Sequence, residues 1–539
     1  MFHDTLVPCA ERRNINMKNT QFYYFCRRYK NILILAAGLS FLAFLTMLIY
    51  PSLNIDEEMS IFADKIYTPW IVQGRYGIQF INKIFTINGR MVPILWDIFS
   101  IVFWYASGVI IFYTFYGEKE KISGFAMFAF LAFYASVPFV EGESLSFSMM
   151  SPQECIGMVC TALAVLFTKY YLEACDKGRR NDKKFLYLAV LFLFFGMTTY
   201  QALVTLYVTA FVVYCLQRVL NGKLEILKPI ICGAVISIVA LILYYIVNKL
   251  VVLMSGLSMD YVDSYIGWMD GDSILKTLFM AVANVARVEF AIKIQDVSIY
   301  SGYVIRAASV LFILWSIYIF AKTKEKGSRP RILFLTVMTM FAPFSLYIAM
   351  GTYKTQGRML LALPLIGAVA FYQIVTAVGE QRKSLKTIIV CLICYLLFLN
   401  VRDLNTINYY NYLRYEHDRQ IANQIMFDIK RAGYDYHKKS LVFVGAYKMD
   451  FESEASSSTL GAKGSFWSWD DGNIKRMRKF LKTEGYEVKE ASRREIKQAV
   501  KHTKGMKKWP MEGSIQETKN SIIVYFSAPG KKWYQANTR

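Results

Sequence analysis

Residues 32–58 read ILILAAGLSFLAFLTMLIYPSLNIDEE, an apolar run, then a proline, then three consecutive carboxylates, Asp56, Glu57 and Glu58. About 20 apolar residues span the hydrocarbon of a bilayer. The stretch therefore predicts a membrane helix that ends at Pro51 and gives way to an acidic loop. That loop runs to about Pro93 and contains Trp70-Ile-Val-Gln-Gly-Arg-Tyr-Gly77. The run is preceded by polar and basic residues and lacks a small-residue cleavage site, so it reads as an uncleaved first span.

Outward from this stretch, further apolar runs lie at about 94–116, 122–140, 155–173, 185–200, 201–219, 229–254, 303–321, 331–350, 358–376 and 386–402. The run from Phe185 to Leu220 exceeds one span and is divided at Thr198-Thr199-Tyr200-Gln201. Eleven spans result. Loops rich in Lys and Arg, such as those around Lys119, Arg179 and Arg329, alternate with loops that are poor in both. Under the positive-inside rule this places the N-terminus in the cytoplasm and the C-terminus outside.

Composition fits a polytopic membrane protein, with 55% hydrophobic, 16% aromatic and only 19% charged residues. The net charge of +22 is explained by topology and anionic headgroups and does not require nucleic acid. No cysteine lies in the polar C-terminal part, which excludes a disulfide framework there, and Cys391-Leu-Ile-Cys394 sits in an apolar run without partner ligands. The four histidines, His3, His417, His437 and His502, are scattered, and no phosphate-binding Gly-rich loop or HExxH motif occurs. These absences argue against an ATP-driven pump and a metalloprotease.

The expected organisation is a cytoplasmic segment over 1–31, a transmembrane module over 32–402 with its external loop at 51–93, and an extracytoplasmic α/β domain over 403–539. In that last part, helices are expected near 417–431, 471–483 and 493–501, with strands near 440–445, 486–488 and 521–526. Residues 274–294 carry apolar side chains at helical spacing and suit a helix lying in the interface plane.

Several residues are candidates for chemistry, each with a plainer alternative. Asp56, Glu57 and Glu58 lie at the membrane's outer edge, yet acids also favour a helix N-terminus. Asp97 lies just inside the second span, where an ionisable group is costly, and either function or a helix–helix hydrogen bond explains it. Arg75 and Arg358, with Lys354 nearby, offer donors matched to phosphate oxygens or simply anchor headgroups. Gln201 could bond a sugar hydroxyl or satisfy its turn. Trp467 and Trp469 beside Asp470 and Asp471 suit either a sugar-stacking surface or a packed core with a helix cap. The basic run Lys475-Arg476-Met477-Arg478-Lys479 reads as a solvated helix face.

Asp56-Glu57, the Trp70–Gly77 segment, the Tyr200-Gln201 turn and Gly357-Arg358 together resemble the Gtr-type, serotype-converting glucosyltransferase family over roughly residues 30–450. That resemblance implies a GT-C-like architecture and transfer of glucose from a polyprenyl-phosphate carrier to a cell-surface polysaccharide or a teichoic-acid-like polymer. The small C-terminal domain is not part of the family pattern. Under this reading Asp56 is the general base and Glu57 its orienter or a substrate ligand. Arg75 and Arg358 hold the donor phosphate, with Lys354 in support and Gln201 and Asp97 as further substrate contacts. The partners implied are the lipid-linked donor, a surface glycan and the bilayer. No cofactor is required, although the acid cluster could hold a divalent metal. Two competing classes are a transporter or flippase of lipid-linked glycans and a non-catalytic polymer-assembly protein. A transporter would be expected to show internal repeats and matched broken spans, which are not evident.

Overall fold

The computed structural model describes residues 21–62, 69–87, 89–178, 182–257, 273–292, 302–325, 327–351, 357–378, 383–448 and 464–538. Each of the eleven apolar runs falls on a helix or a pair of helices. The first run forms α1 (Lys30–Ala43) and α2 (Leu45–Ile49), and the loop after it carries two short helices, α3 (Pro69–Val72) and α4 (Tyr76–Phe85). Then come α5 (Leu95–Tyr116), α6 (Gly124–Tyr134), α7 (Pro138–Ser144), α8 (Ser151–Asp176), α9 (Lys183–Thr199), α10 (Leu203–Leu220) and α11 (Leu227–Ser255). The second half of the helical body holds α12 (Ile274–Glu289), α13 (Gly302–Lys322), α14 (Ser328–Phe341), α15 (Ser345–Met350), α16 (Leu363–Ala377) and α17 (Lys383–Arg431).

Among the described residues, seven helices are long and apolar enough to cross a membrane, or eight if α6 and α7, bent by 52°, form one crossing. The remaining runs, on α1–α2, α9 and α16, form shorter helices. Hydrophobic side chains point outward where a soluble protein would bury them. On α11, for example, Ile238, Ile242, Leu250, Leu253 and Met254 are exposed, which marks a surface solvated by lipid. The chain is a membrane protein. α12 follows the same logic. It turns Thr277, Asn284, Arg287 and Glu289 toward the protein and leaves Leu275, Leu278, Phe279 and Val282 outside.

α17 is the longest element, with 49 residues. At 1.5 Å per residue it extends roughly 73 Å, from the last apolar run far beyond it without a break. The sequence reading placed a membrane exit near Arg402 and a separate helix from 417. The two are one helix, because no glycine or proline interrupts residues 402–431. α17 also braces the break between α1 and α2. Asn405 Nδ2 donates to the Leu42 and Ala43 carbonyls at 2.9 and 3.2 Å, and its Oδ1 accepts from the Thr46 amide at 2.9 Å.

Beyond α17 lies a three-stranded sheet in the order β1 (Ser440–Val444), β3 (Ser521–Tyr525), β2 (Ile515–Glu517). β1 runs parallel to β3, with Val442 opposite Ile523, and β2 runs antiparallel. Helices α18 (Ile474–Thr483), α19 (Arg493–His502) and α20 (Lys531–Thr538) cover it. Asn473 caps α18 through its side chain, accepting from the amides of Lys475 and Arg476. Residues 486–488 form no strand, but Lys489 makes a single parallel bridge to Ser440. β2 and α20 were not foreseen, since both are short and mostly polar. Trp467 is buried against Phe443 and Phe480, so it is a core residue and not a sugar platform.

The core of this unit does not stop at its own boundary. Leu53, Ile55, Trp70, Phe147 and Met149 from the helical body share one apolar cluster with Val442, Phe466, Phe480 and Val524. The buried Arg414 of α17 adds polar ties, donating to the Leu53 carbonyl at 2.6 Å and the Gly464 carbonyl at 3.0 Å.

The Asn405 brace gives a direct expectation. Asn405→Leu removes both donor and acceptor and leaves helix-end groups unmet. It should lower stability by about 1–2 kcal/mol, read as a fall in Tm of the purified protein in lipid, whereas exposed Thr387→Ala on the same helix should change little.

Candidate functional site

The loop after the first apolar run passes through Asn54 and Asp56 and makes one 3-10 turn, Glu57–Met59. Asp56 stands at φ 84°, in the left-handed region, which Asp and Asn tolerate better than other side-chain-bearing residues. This twist sends the three consecutive carboxylates to different places. Glu57 is fully buried, and its carboxyl accepts from the amides of Asn54 (2.8 Å) and Met149 (3.2 Å). It stitches the loop to the segment between α7 and α8, and there is no bond from it to Asp56. Asn54 adds a second stitch through its side-chain amide to the Ser146 carbonyl.

Asp56 and Glu58 face the other way, onto Arg476 of α18. Arg476 pairs with Asp56 Oδ1 at 2.7 Å, Glu58 Oε1 at 2.8 Å and Asp470 Oδ2 at 2.8 Å. The guanidinium is only 14% exposed, Glu58 is fully covered and Asp56 remains 47% exposed. Arg476 is therefore a buried cross-tie and not part of a solvated basic face. Burial works against its charge, but Asp56 and Glu58 outweigh it and hold the guanidinium above its ordinary range. Asp56 Oδ2 has no hydrogen bond among the described residues.

Asp56 also lines a small cavity of about 70 Å³ with Trp70, Gln73, Arg75, Phe147 and Arg358. Arg75 precedes α4 and pairs with Glu154 of α8 at 2.9 Å, while its guanidinium lies 4.3 Å over the Tyr200 ring. The turn before it is fixed by Gln201, whose amide donates to the Gln73 carbonyl at 2.6 Å and the Tyr244 hydroxyl at 2.8 Å. Gly74 sits at φ 71°, and a Cβ there would run into the Tyr244 hydroxyl. Gln201 thus acts on the cavity through the backbone that carries Arg75.

Arg358 reaches the cavity from the opposite side. Its amide donates to Glu143 at 3.3 Å, its guanidinium lies 3.9 Å from the same carboxylate, and it stacks 5.4 Å over Phe147. This approach needs Gly357, because a Cβ there would strike the Phe139 carbonyl of α7. Asp56, Arg75 and Arg358, which are far apart in the chain, come together. Asp97 does not join them. It lines a separate cavity with Asn54 and accepts from Ser148 at 2.5 Å. Lys354 lies outside the described residues.

A profile of the glucosyl transferase GtrII family matches residues 45–372, which includes the acidic loop, Arg75, Gln201 and Arg358. The chain belongs to the GtrII glucosyltransferase family. No curated protein and no solved structure matches it. The GtrII match ends well before Arg476, so one partner of Asp56 comes from outside the family region. Glu143, Glu154 and Arg476 had no distinctive spacing in the sequence, and only the assembled fold shows them against Arg358, Arg75 and Asp56. Among the described residues, no group of three His, Cys, Asp or Glu side chains is arranged to hold a metal ion.

Burial pushes the Glu57 carboxyl up to about 8 despite its two amide donors, and burial raises Glu58 to about 7 against the pull of Arg476. The folded state therefore holds protons that the unfolded chain has lost above the usual value of 4.5. Stability should fall as pH rises from about 4.5 through about 8. Glu57→Gln, which keeps an acceptor and cannot ionise, should flatten that decline in Tm measured from pH 5 to 9. Arg476→Gln should cost about 1.5–3 kcal/mol, the worth of charged hydrogen bonds. Arg476→Lys should recover little in the same Tm measurement, because one ammonium cannot span three carboxylates.

Proposed function

We propose that this GtrII member transfers a glucosyl unit from a polyprenyl-phosphate carrier to a surface polysaccharide or teichoic-acid-like polymer on the outer face of the membrane. The observation that carries the reading is the convergence of one half-exposed carboxylate, Asp56, and two guanidiniums, Arg75 and Arg358, on a single cavity. It lies in the loop just beyond the first apolar run, where a carrier embedded in the bilayer can deliver its headgroup.

The chemistry needs few groups. An acceptor hydroxyl attacks the anomeric carbon, its proton passes to Asp56, and the bond to the carrier phosphate breaks with its electron pair on the leaving oxygen. A positioned carboxylate within hydrogen-bond reach contributes about 10²–10⁴-fold to such a step. The leaving group is already a phosphate and needs no proton, only positive charge to meet the charge that builds on it. Arg75 and Arg358 supply that charge. Glu154 and Glu143 hold them in place without using all of their donors, since a guanidinium offers five N–H groups.

In this reading Arg476 orients Asp56 through Oδ1 and leaves Oδ2 to take the proton. Glu57 keeps the loop in place and does not contact substrate, which replaces the role expected for it from the resemblance. The outward position of the C-terminal unit and the eleven-span topology belong to the same proposal and rest on the alternation of basic loops, and the GT-C-like architecture belongs to it as what the family resemblance implies.

The test is transfer of label from radiolabelled polyprenyl-phosphate-glucose to envelope polymer by protein reconstituted in vesicles. Wild type should move label to polymer. Asp56→Asn, which tolerates the left-handed backbone, should lower the rate about 10²–10⁴-fold while donor binding persists. Arg358→Ala should lower it about 10²–10³-fold, with Arg358→Lys intermediate. Label that stays on the lipid with wild type, while crossing the bilayer faster than in protein-free vesicles, would sink the transferase and favour transport.

A further inference from the structure

A second cavity, of about 290 Å³, opens on the other side of the first external loop. It lies near the lower end of the range for small-molecule sites, about 300–1,000 Å³. Its lining brings Asn54 and Asp97 together with Ser148, Asn408, Asn411 and Tyr415. Among the described residues no Lys, Arg or His lines it, which makes it a poor match for a phosphate, whereas the first cavity holds two guanidiniums. Amides, hydroxyls and one tyrosine ring on an otherwise apolar wall are the chemistry that grips a neutral, hydroxyl-rich ring. Polar groups fix its hydroxyls, and the ring's apolar face packs on the side chains.

A second observation points the same way. Asn408 and Asn411 are 5% and 2% exposed, yet Asn408 Nδ2 and Asn411 Oδ1 have no hydrogen-bond partner. They stand three residues apart on α17, hence on one face, both line the cavity, and among the described residues one keeps an unpaired donor and the other an unpaired acceptor, both sealed from water. Buried polar groups are nearly always paired, and a sugar hydroxyl both donates and accepts. The segment from Asn54 to Asp56 passes from this cavity to the first, since Asn54 lines one and Asp56 the other.

We infer that this second cavity binds a sugar unit of the acceptor glycan, presenting it to the carboxylate side of the loop. The inference rests on the transferase reading above and assigns it the second substrate. It also gives the C-terminal part a purpose. Asn408, Asn411, Tyr415 and Thr483 all lie beyond the residue 372 at which the family match ends. Acceptor choice is thus shared between Asn54, Asp97 and Ser148 inside the family region and these four residues outside it, whereas donor handling lies inside it.

The test uses the full chain in phospholipid nanodiscs, with two readouts. Saturation-transfer NMR against methyl glycosides of glucose, galactose, rhamnose and N-acetylglucosamine reads sugar binding directly. At least one should give signal with wild type and with Arg358→Ala. Asn408→Asp is nearly isosteric and turns the free donor into an acceptor, so it should reduce that signal at least tenfold. Asn411→Asp keeps its acceptor oxygen and should reduce it less, an asymmetry that a merely structural role would not produce. In the transfer assay with envelope polymer, Asn408→Asp should raise KM for polymer about tenfold and leave KM for the lipid-linked donor unchanged. A wild-type Tm in both variants shows that each is folded. Signal from none of the glycosides, or unchanged polymer KM in folded Asn408→Asp while wild type transfers label, overturns the acceptor site and leaves the transferase standing. Absence of transfer by wild type overturns the transferase reading and with it the acceptor role of this cavity, whatever the glycoside signal.

Discussion

One guanidinium meeting three carboxylates decides how this molecule is assembled. Arg476 draws Asp56 and Glu58 from the loop beyond the first apolar run and Asp470 from its own neighbourhood. Without it, two adjacent acids of like charge would repel at a position where one of them is sealed from water. Taking charges out of water is expensive unless they are matched, and the match here is made across the boundary between the helical body and the sheet. The docked C-terminal unit thus supplies the charge partner for the acids of this loop. The apolar cluster that joins Trp70 and Phe147 to Phe466 and Val524 reinforces the same dependence.

The two cavities separate by charge. The one lined by Arg75 and Arg358 suits an anion, and the one lined by Asn408 and Asn411 suits a neutral polyol. A transferase that joins a phosphate-borne sugar to a glycan needs two such compartments with a base between them. The short path from Asn54 to Asp56 supplies that connection, and Glu57 keeps it rigid through the amides of Asn54 and Met149. Rigidity matters because a general base that wanders loses the advantage of position.

Much of the helical body was legible in the chain because lipid imposes long, uninterrupted apolar runs. Arg75 and Arg358 were legible as candidates because Gly-Arg pairs beyond apolar runs are conspicuous, and they do meet at one cavity. What the sequence hid was partnership. Glu57 and Asp56 are neighbours, and only a positive φ at Asp56 reveals that one turns inward and the other toward Arg476. Arg476 was hidden inside a Lys/Arg run in which Lys475 does face solvent. Asn408 and Asn411 lay in a polar, tyrosine-rich stretch that resembles a membrane exit. The continuity of α17 was hidden because hydropathy falls near residue 402 while helix propensity does not.

That continuity has a mechanical meaning. The sheet unit follows, and one wall of the second cavity (Asn408, Asn411 and Tyr415) is carried on, one unbroken rod whose other end lies among the apolar runs. A rod transmits rotation as well as distance. Adding one residue to α17 below Asn405 would turn everything above it by about 100° and lift it about 1.5 Å, whereas four added residues would nearly restore the phase. The distance between the apolar end of α17 and the C-terminal unit is therefore set by the length of that helix.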